Sequence, residues 1–133
     1  MELMTILMDG VTYRVRVVYN TLVRAFELVE GPVSGDMLSG RHERDLIGTK
    51  YTYEMGVEPD PRYQSDYDAF FEALSDPVNS HSITVPNGQG TLTYQAMIER
   101  GSDTYRGRLA GQRRWGGLVV TFKAISVQKE PTT

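Results

Sequence analysis

Over most of this chain apolar and polar residues alternate with a period of two, and only one stretch switches to the period of a helix. A sequence written this way predicts antiparallel sheet built around a single helix. The clearest alternation runs from Ile47 to Val57, where Ile47, Thr49, Tyr51, Tyr53, Met55 and Val57 share a face. Glu58-Pro59-Asp60-Pro61 ends it, because proline has no N–H to give to a strand ladder. The helical stretch follows at once: Tyr63, Tyr67, Phe70, Phe71 and Leu74 recur at the spacing of one helix face, and Asp76-Pro77 closes it. Ser65, three residues before Asp68, is read as a capping box. The helix is expected over 63–76.

The remaining strands are punctuated by turn residues. Asp9-Gly10 separates Thr5–Met8 from Val11–Val17, and both residues tolerate the positive φ of a tight hairpin. Val11, Tyr13, Val15 and Val17 form the buried face there. A second run, Leu22 to Glu30, places Leu22, Phe26 and Leu28 together with Arg24 as the misfit. Ser82–Val85 and Thr91–Glu99 flank Pro86-Asn87-Gly88-Gln89-Gly90 as another hairpin. The segment from Tyr105 to Trp115 reads equally as short strand or loop. The last strand, Gly117 to Val127, has apolar residues on both faces, which suggests a central position. Two stretches are expected to lie outside regular structure: a long, polar, glycine-punctuated loop over 31–46 and a frayed tail over 128–133.

The predicted fold is therefore mainly β (α+β), an antiparallel β-sandwich or rolled sheet of six to seven strands with one flanking helix. With 133 residues, 40% of them hydrophobic, the chain is sized for one domain with its own core. No run approaches the 18 or so apolar residues of a membrane-spanning helix, and the first residues lack the basic and apolar regions of a signal peptide. The complete absence of cysteine removes disulfides, thiolate nucleophiles and thiolate metal sites, and fits a reducing compartment.

No catalytic constellation emerges. His42 and His81 are isolated from each other and from any nucleophile motif. Glu58, Asp60, Asp66 and Asp68 straddle two prolines without the spacing of a calcium loop. Gly88-Gln89-Gly90 and Gly116-Gly117 match neither a phosphate loop nor a dinucleotide fingerprint. The aromatic helix face reads as core. Neither cofactor nor metal is expected, and the chain reads as a non-enzyme.

Charge is more informative. Residues 51–99 carry one base, Arg62, and eight acids, a net of −7; residues 100–129 carry seven bases and one acid, Asp103, a net of +6. Three readings follow. The two segments neutralise each other within the fold; or Arg106, Arg108, Arg113, Arg114 and Trp115 form the nucleic-acid contact of a small β-barrel; or an acidic face of one copy meets a basic face of the next. On the third reading the candidate assembly residues are Asp66, Asp68 and Glu72 against Arg106, Arg108, Arg113 and Arg114, with Arg41 and Arg44 from the long loop.

Three stretches carry a resemblance: Trp115-Gly116-Gly117-Leu118-Val119-Val120-Thr121-Phe122-Lys123-Ala124, Tyr67-Asp68-Ala69-Phe70-Phe71-Glu72-Ala73-Leu74-Ser75-Asp76-Pro77 and Ile83-Thr84-Val85-Pro86. Across roughly residues 47–131 the chain resembles small tail-structural proteins of long-tailed (siphovirus-like) bacteriophages and prophages. The first 46 residues share only the general strand pattern. The resemblance implies a tail-tube-like fold, self-association into rings (a hexamer being one form) around a DNA channel, other tail proteins as partners, and a life in the host cytoplasm followed by the virion tail. Nucleic acid would be met only indirectly, along a channel, and no membrane is implied. That family has no active site, so no catalytic residue transfers.

Overall fold

The computed structural model describes residues 2–30, 35–36, 42–43 and 46–130. Ten strands occur among them: β1 (Glu2–Met8), β2 (Val11–Val17), β3 (Val23–Glu30), β4 (Gly35–Asp36), β5 (His42–Glu43), β6 (Leu46–Pro59), β7 (His81–Asn87), β8 (Gly90–Met97), β9 (Gly101–Leu109) and β10 (Gln112–Ala124). One helix, α1 (Gln64–Leu74), follows β6 through a 3-10 turn at Pro61–Tyr63.

The main sheet runs β3-β6-β2-β1-β7-β8-β10-β9, and a further pairing of β6 with β10 closes its middle six strands into a barrel. The sandwich alternative is thereby overturned and the rolled sheet is the form found, with eight strands rather than the expected six to seven, because the Tyr105–Trp115 segment is itself strand. The cause lies in β6. Its fourteen residues are too many for one neighbour pair: its first half pairs with β3, while its second half is shared between β2 and β10. Both sides of the second half are occupied, so the sheet must return on itself.

The registers show why the alternating residues face inward. Val57 lies opposite Leu118, Met55 opposite Val120 and Tyr53 opposite Phe122, and all six are buried. Ile6, Met8, Val15, Ile83, Val85 and Ala96 complete the lining from the other strands. β10 is central, as its two apolar faces suggested, because it pairs with β6, β8 and β9. The Asp9-Gly10 hairpin forms with φ of 53° and 79°, the left-handed values its residues were read for.

Helix α1 packs on β2 and β6 and buries Tyr67, Phe70 and Leu74, with Phe70 5.2 Å from the Tyr13 ring. It is shorter than expected at both ends, and Ser65 does not cap it. The helix continues directly from the 3-10 turn, so the capping position falls earlier, on Asp60, whose carboxylate accepts from the Arg62 N–H at 2.9 Å.

Two ribbons extend from the barrel. In one, β3 pairs with the first half of β6; in the other, β9 pairs with the first half of β10, turning at Ala110-Gly111 with φ of 54° and 79°. The ambiguous Tyr105–Trp115 segment is thus a strand hairpin. The expected loop over 31–46 contains order at Gly35–Asp36, paired with His42–Glu43, and Leu46 already belongs to β6; its other residues, Arg41 and Arg44 included, lie outside the described residues. The tail is not free from residue 128: Gln128 and Lys129 exchange backbone hydrogen bonds with Thr49 at 2.8 and 3.0 Å. Gly48 allows this close approach, since a Cβ there would run into Val127 and the Lys129 carbonyl. Residues 131–133 lie outside the described residues.

Candidate functional site

Among the described residues two ion pairs join the acidic and basic segments, Glu58 with Arg106 and Glu99 with Lys123, while Asp66 and Asp60 pair with arginines outside the basic one. Asp66, at the first turn of α1, accepts from the Arg14 backbone N–H and Nε, both at 2.9 Å, and the Arg14 hydrogen bonds hold its carboxyl below the usual range. Glu58, near the end of β6, takes both Arg106 Nη atoms at 2.7 Å and the Gly117 N–H at 3.0 Å. This clamp fastens the β9–β10 ribbon to the barrel. Asp60 is fully buried at the β6–α1 corner. The Arg62 side chain, its backbone N–H and, more distantly, Arg16 at 3.7 Å lower its pKa from an ordinary 3.8 to about 2 against the opposing effect of burial. Lys123 and Glu99 stand 3.6 Å apart on the surface.

The remaining candidates divide into two unsatisfied sets. Asp68 and Glu72 have no charged partner among the described residues and line a hollow of about 420 Å³ with Tyr67, Phe71, Asp103, Arg113 and Trp115. Partial burial, then repulsion from Asp103 and Glu72, pushes the Asp68 carboxyl up. Arg113 also lines this hollow and forms no ion pair among the described residues. Its cross-strand neighbour Arg108 reaches only the Gly111 carbonyl at 3.4 Å. Arg114 has a buried Nε with no acceptor. The tip of the ribbon is therefore basic, and it is also apolar: Leu109 is 60% exposed, and Tyr105 and Trp115 present rings 4.9 Å apart.

The structure thus brings Asp68 and Glu72 to one side of α1, with Arg113 lining the same hollow, and places Arg108 and Arg114 beside Arg113 on the β9–β10 ribbon. It removes Asp66 and Arg106 from the free set by pairing them with Arg14 and Glu58. Neither pairing was readable from spacing, because Arg14 and Asp66 are 52 residues apart and meet only through the packing of α1 on β2.

His81 is buried, with Nδ1 2.5 Å from an Asp9 carboxylate oxygen, and Asp9 also accepts from the Ser82 N–H at 2.8 Å. This ties the β1–β2 turn to the start of β7. Burial would raise the Asp9 carboxyl, but hydrogen bonds from His81 and the Ser82 N–H, with the His81 charge, bring it below its usual range. Among the described residues no three His, Asp or Glu side chains gather at metal-ligand spacing, and none of the helices is long and apolar enough to cross a membrane.

The fold and surface define a closed β-barrel with a helix packed against it and two projecting ribbons. Comparison with protein-family models finds no match, and comparison with curated proteins finds none either.

Proposed function

We propose that the protein is a non-enzymatic structural subunit that assembles head to tail, in the manner of a small tail-structural protein of a long-tailed phage or prophage. The observation that carries the reading is the β9–β10 ribbon. A two-stranded ribbon standing in water is marginally stable by itself, and an edge strand with free N–H and C=O groups is a template for another chain. Here the edge strand β9 is the end of the sheet, and its tip joins exposed Leu109 to Arg108, Arg113 and Arg114, which have no carboxylate partner among the described residues. The surface it fits is the α1 hollow, where Asp68 and Glu72 form no ion pair among the described residues, the chain's own Arg113 supplies a single cation against Asp68, Glu72 and Asp103, and Trp115 and Phe71 supply apolar walls.

A contact between two different surfaces of the same chain is heterologous, so it propagates into a filament or closes into a ring. A hexameric ring among other tail proteins, built in the host cytoplasm and carried in the virion tail, is the form the family resemblance favours. Light scattering over a concentration series at low and high salt, with chemical crosslinking, tests the proposal. Oligomers that dissociate as salt rises are expected; a monomer at every concentration and ionic strength would overturn it.

A further inference from the structure

The other ribbon carries a face of different chemistry. Alternation along β3 puts Arg24, Phe26 and Leu28 on one side, opposite Tyr53, Tyr51 and Thr49 of β6, while Glu27 falls on the reverse opposite Lys50. The face that keeps Arg24 has two hollows, of about 480 and 300 Å³, which share Arg24 and Gly88 and so adjoin. Lys129, brought in by its pairing with Thr49, lines the larger one. Among the described residues no carboxylate lines either hollow, in a chain with more acids than bases.

Two details mark this as more than a stray basic patch. Arg24 is held in place: its Nη1 donates at 2.7 Å to the Asn87 side-chain oxygen, which also accepts from the Tyr53 hydroxyl at 3.1 Å. Beside it Phe26 is 70% exposed, directly across the ribbon from Tyr51. An aromatic ring left in water costs free energy unless something covers it, and an exposed ring flanked by two cations matches a planar base joined to a phosphate. Stacking on such rings tolerates any base.

We propose that this groove binds single-stranded nucleic acid, with Phe26 stacking a base and Arg24 and Lys129 holding the adjacent phosphates. The site is separate from the α1 hollow and the β9–β10 tip, and it does not depend on the assembly reading.

The test is fluorescence anisotropy of a labelled oligothymidylate titrated with the full chain across a salt series. Binding that weakens with salt is expected. Phe26→Leu, which keeps an apolar side chain but removes the ring, is expected to weaken it about tenfold, and Arg24→Gln to reduce the magnitude of the slope of log affinity against log salt by about 0.7. Circular dichroism is to check that both variants fold, which their exposed positions favour. The Arg108→Gln/Arg113→Gln variant is expected to bind as the unaltered chain does.

Three results would overturn the proposal. One is no binding at low ionic strength. Another is binding lost in Arg108→Gln/Arg113→Gln but kept in Phe26→Leu and Arg24→Gln, which would move the contact to the other ribbon. The third is equally tight binding of a labelled oligoglutamate, which would make the groove a site for acidic peptide.

Discussion

Removing Glu58 should loosen the β9–β10 ribbon at its base. The carboxylate receives two Arg106 hydrogen bonds at 2.7 Å and the Gly117 N–H at 3.0 Å, with its side chain 14% exposed and that of Arg106 50% exposed. Each charge-assisted bond contributes roughly 1.5–3 kcal/mol when dry, but half of the guanidinium is in water, where exposed pairs contribute only about 0.2–1 kcal/mol. Glu58→Ala is therefore expected to cost about 2 kcal/mol, a fall in Tm of roughly 8 °C for a domain of this size. Arg106→Ala should cost less, about 1 kcal/mol, because Glu58 keeps the Gly117 N–H and some water. The double variant should cost little more than Glu58→Ala alone, leaving a coupling near 1 kcal/mol. Gly116→Ala provides an independent check. A Cβ there would lie 2.5 Å from both Arg106 Nη1 and Glu58 Oε2, so the substitution should destabilise the unaltered chain and cost much less once Glu58 is alanine. Thermal and urea unfolding followed by circular dichroism measure the unaltered chain and the five variants. Additive costs for Glu58 and Arg106, or a Gly116→Ala penalty unchanged by removing Glu58, would refute the clamp.

Phe70→Ala should cost about 3–5 kcal/mol in urea unfolding, since the ring is fully buried between α1 and the barrel against Tyr13. Asp60 sets an acid limit. Its folded pKa of about 2 lies below the ordinary 3.8, so its ion pairs contribute fully above about pH 4, and that contribution is lost as pH falls toward 2. Asp60→Asn should be less stable at neutral pH and show a shallower loss over that acid window in a pH series of unfolding curves; an unchanged acid slope would contradict the assignment.

Local features were the legible ones. Asp9-Gly10 specifies its hairpin through backbone conformation alone, and Tyr67, Phe70 and Leu74 mark the helix face by spacing alone. Barrel closure was not legible, because it depends on which neighbours the two halves of β6 choose, a matter of pairing between strands far apart in sequence. Arg24 illustrates the limit well. In the strand pattern it is a misfit; in the fold it belongs to an exposed ribbon, where no apolar residue is required, and it reaches Asn87 63 residues away. The −7 and +6 segments were correctly read as charge-rich, yet spacing could not show that Asp66 meets Arg14 and Glu58 meets Arg106. The assembly question has accordingly narrowed, for the described residues, to Asp68 and Glu72 against Arg108, Arg113 and Arg114.

Sedimentation of two charge-reversed chains, apart and mixed, tests that question most directly. Asp68→Lys/Glu72→Lys places cations in the α1 hollow, and Arg108→Glu/Arg113→Glu places acids on the ribbon tip. In low salt each alone should sediment as a monomer through like-charge repulsion, and an equimolar mixture should recover the larger species formed by the unaltered chain. If both variants associate alone as the unaltered chain does, or if the mixture stays monomeric while the unaltered chain assembles, these two surfaces do not join one copy to the next.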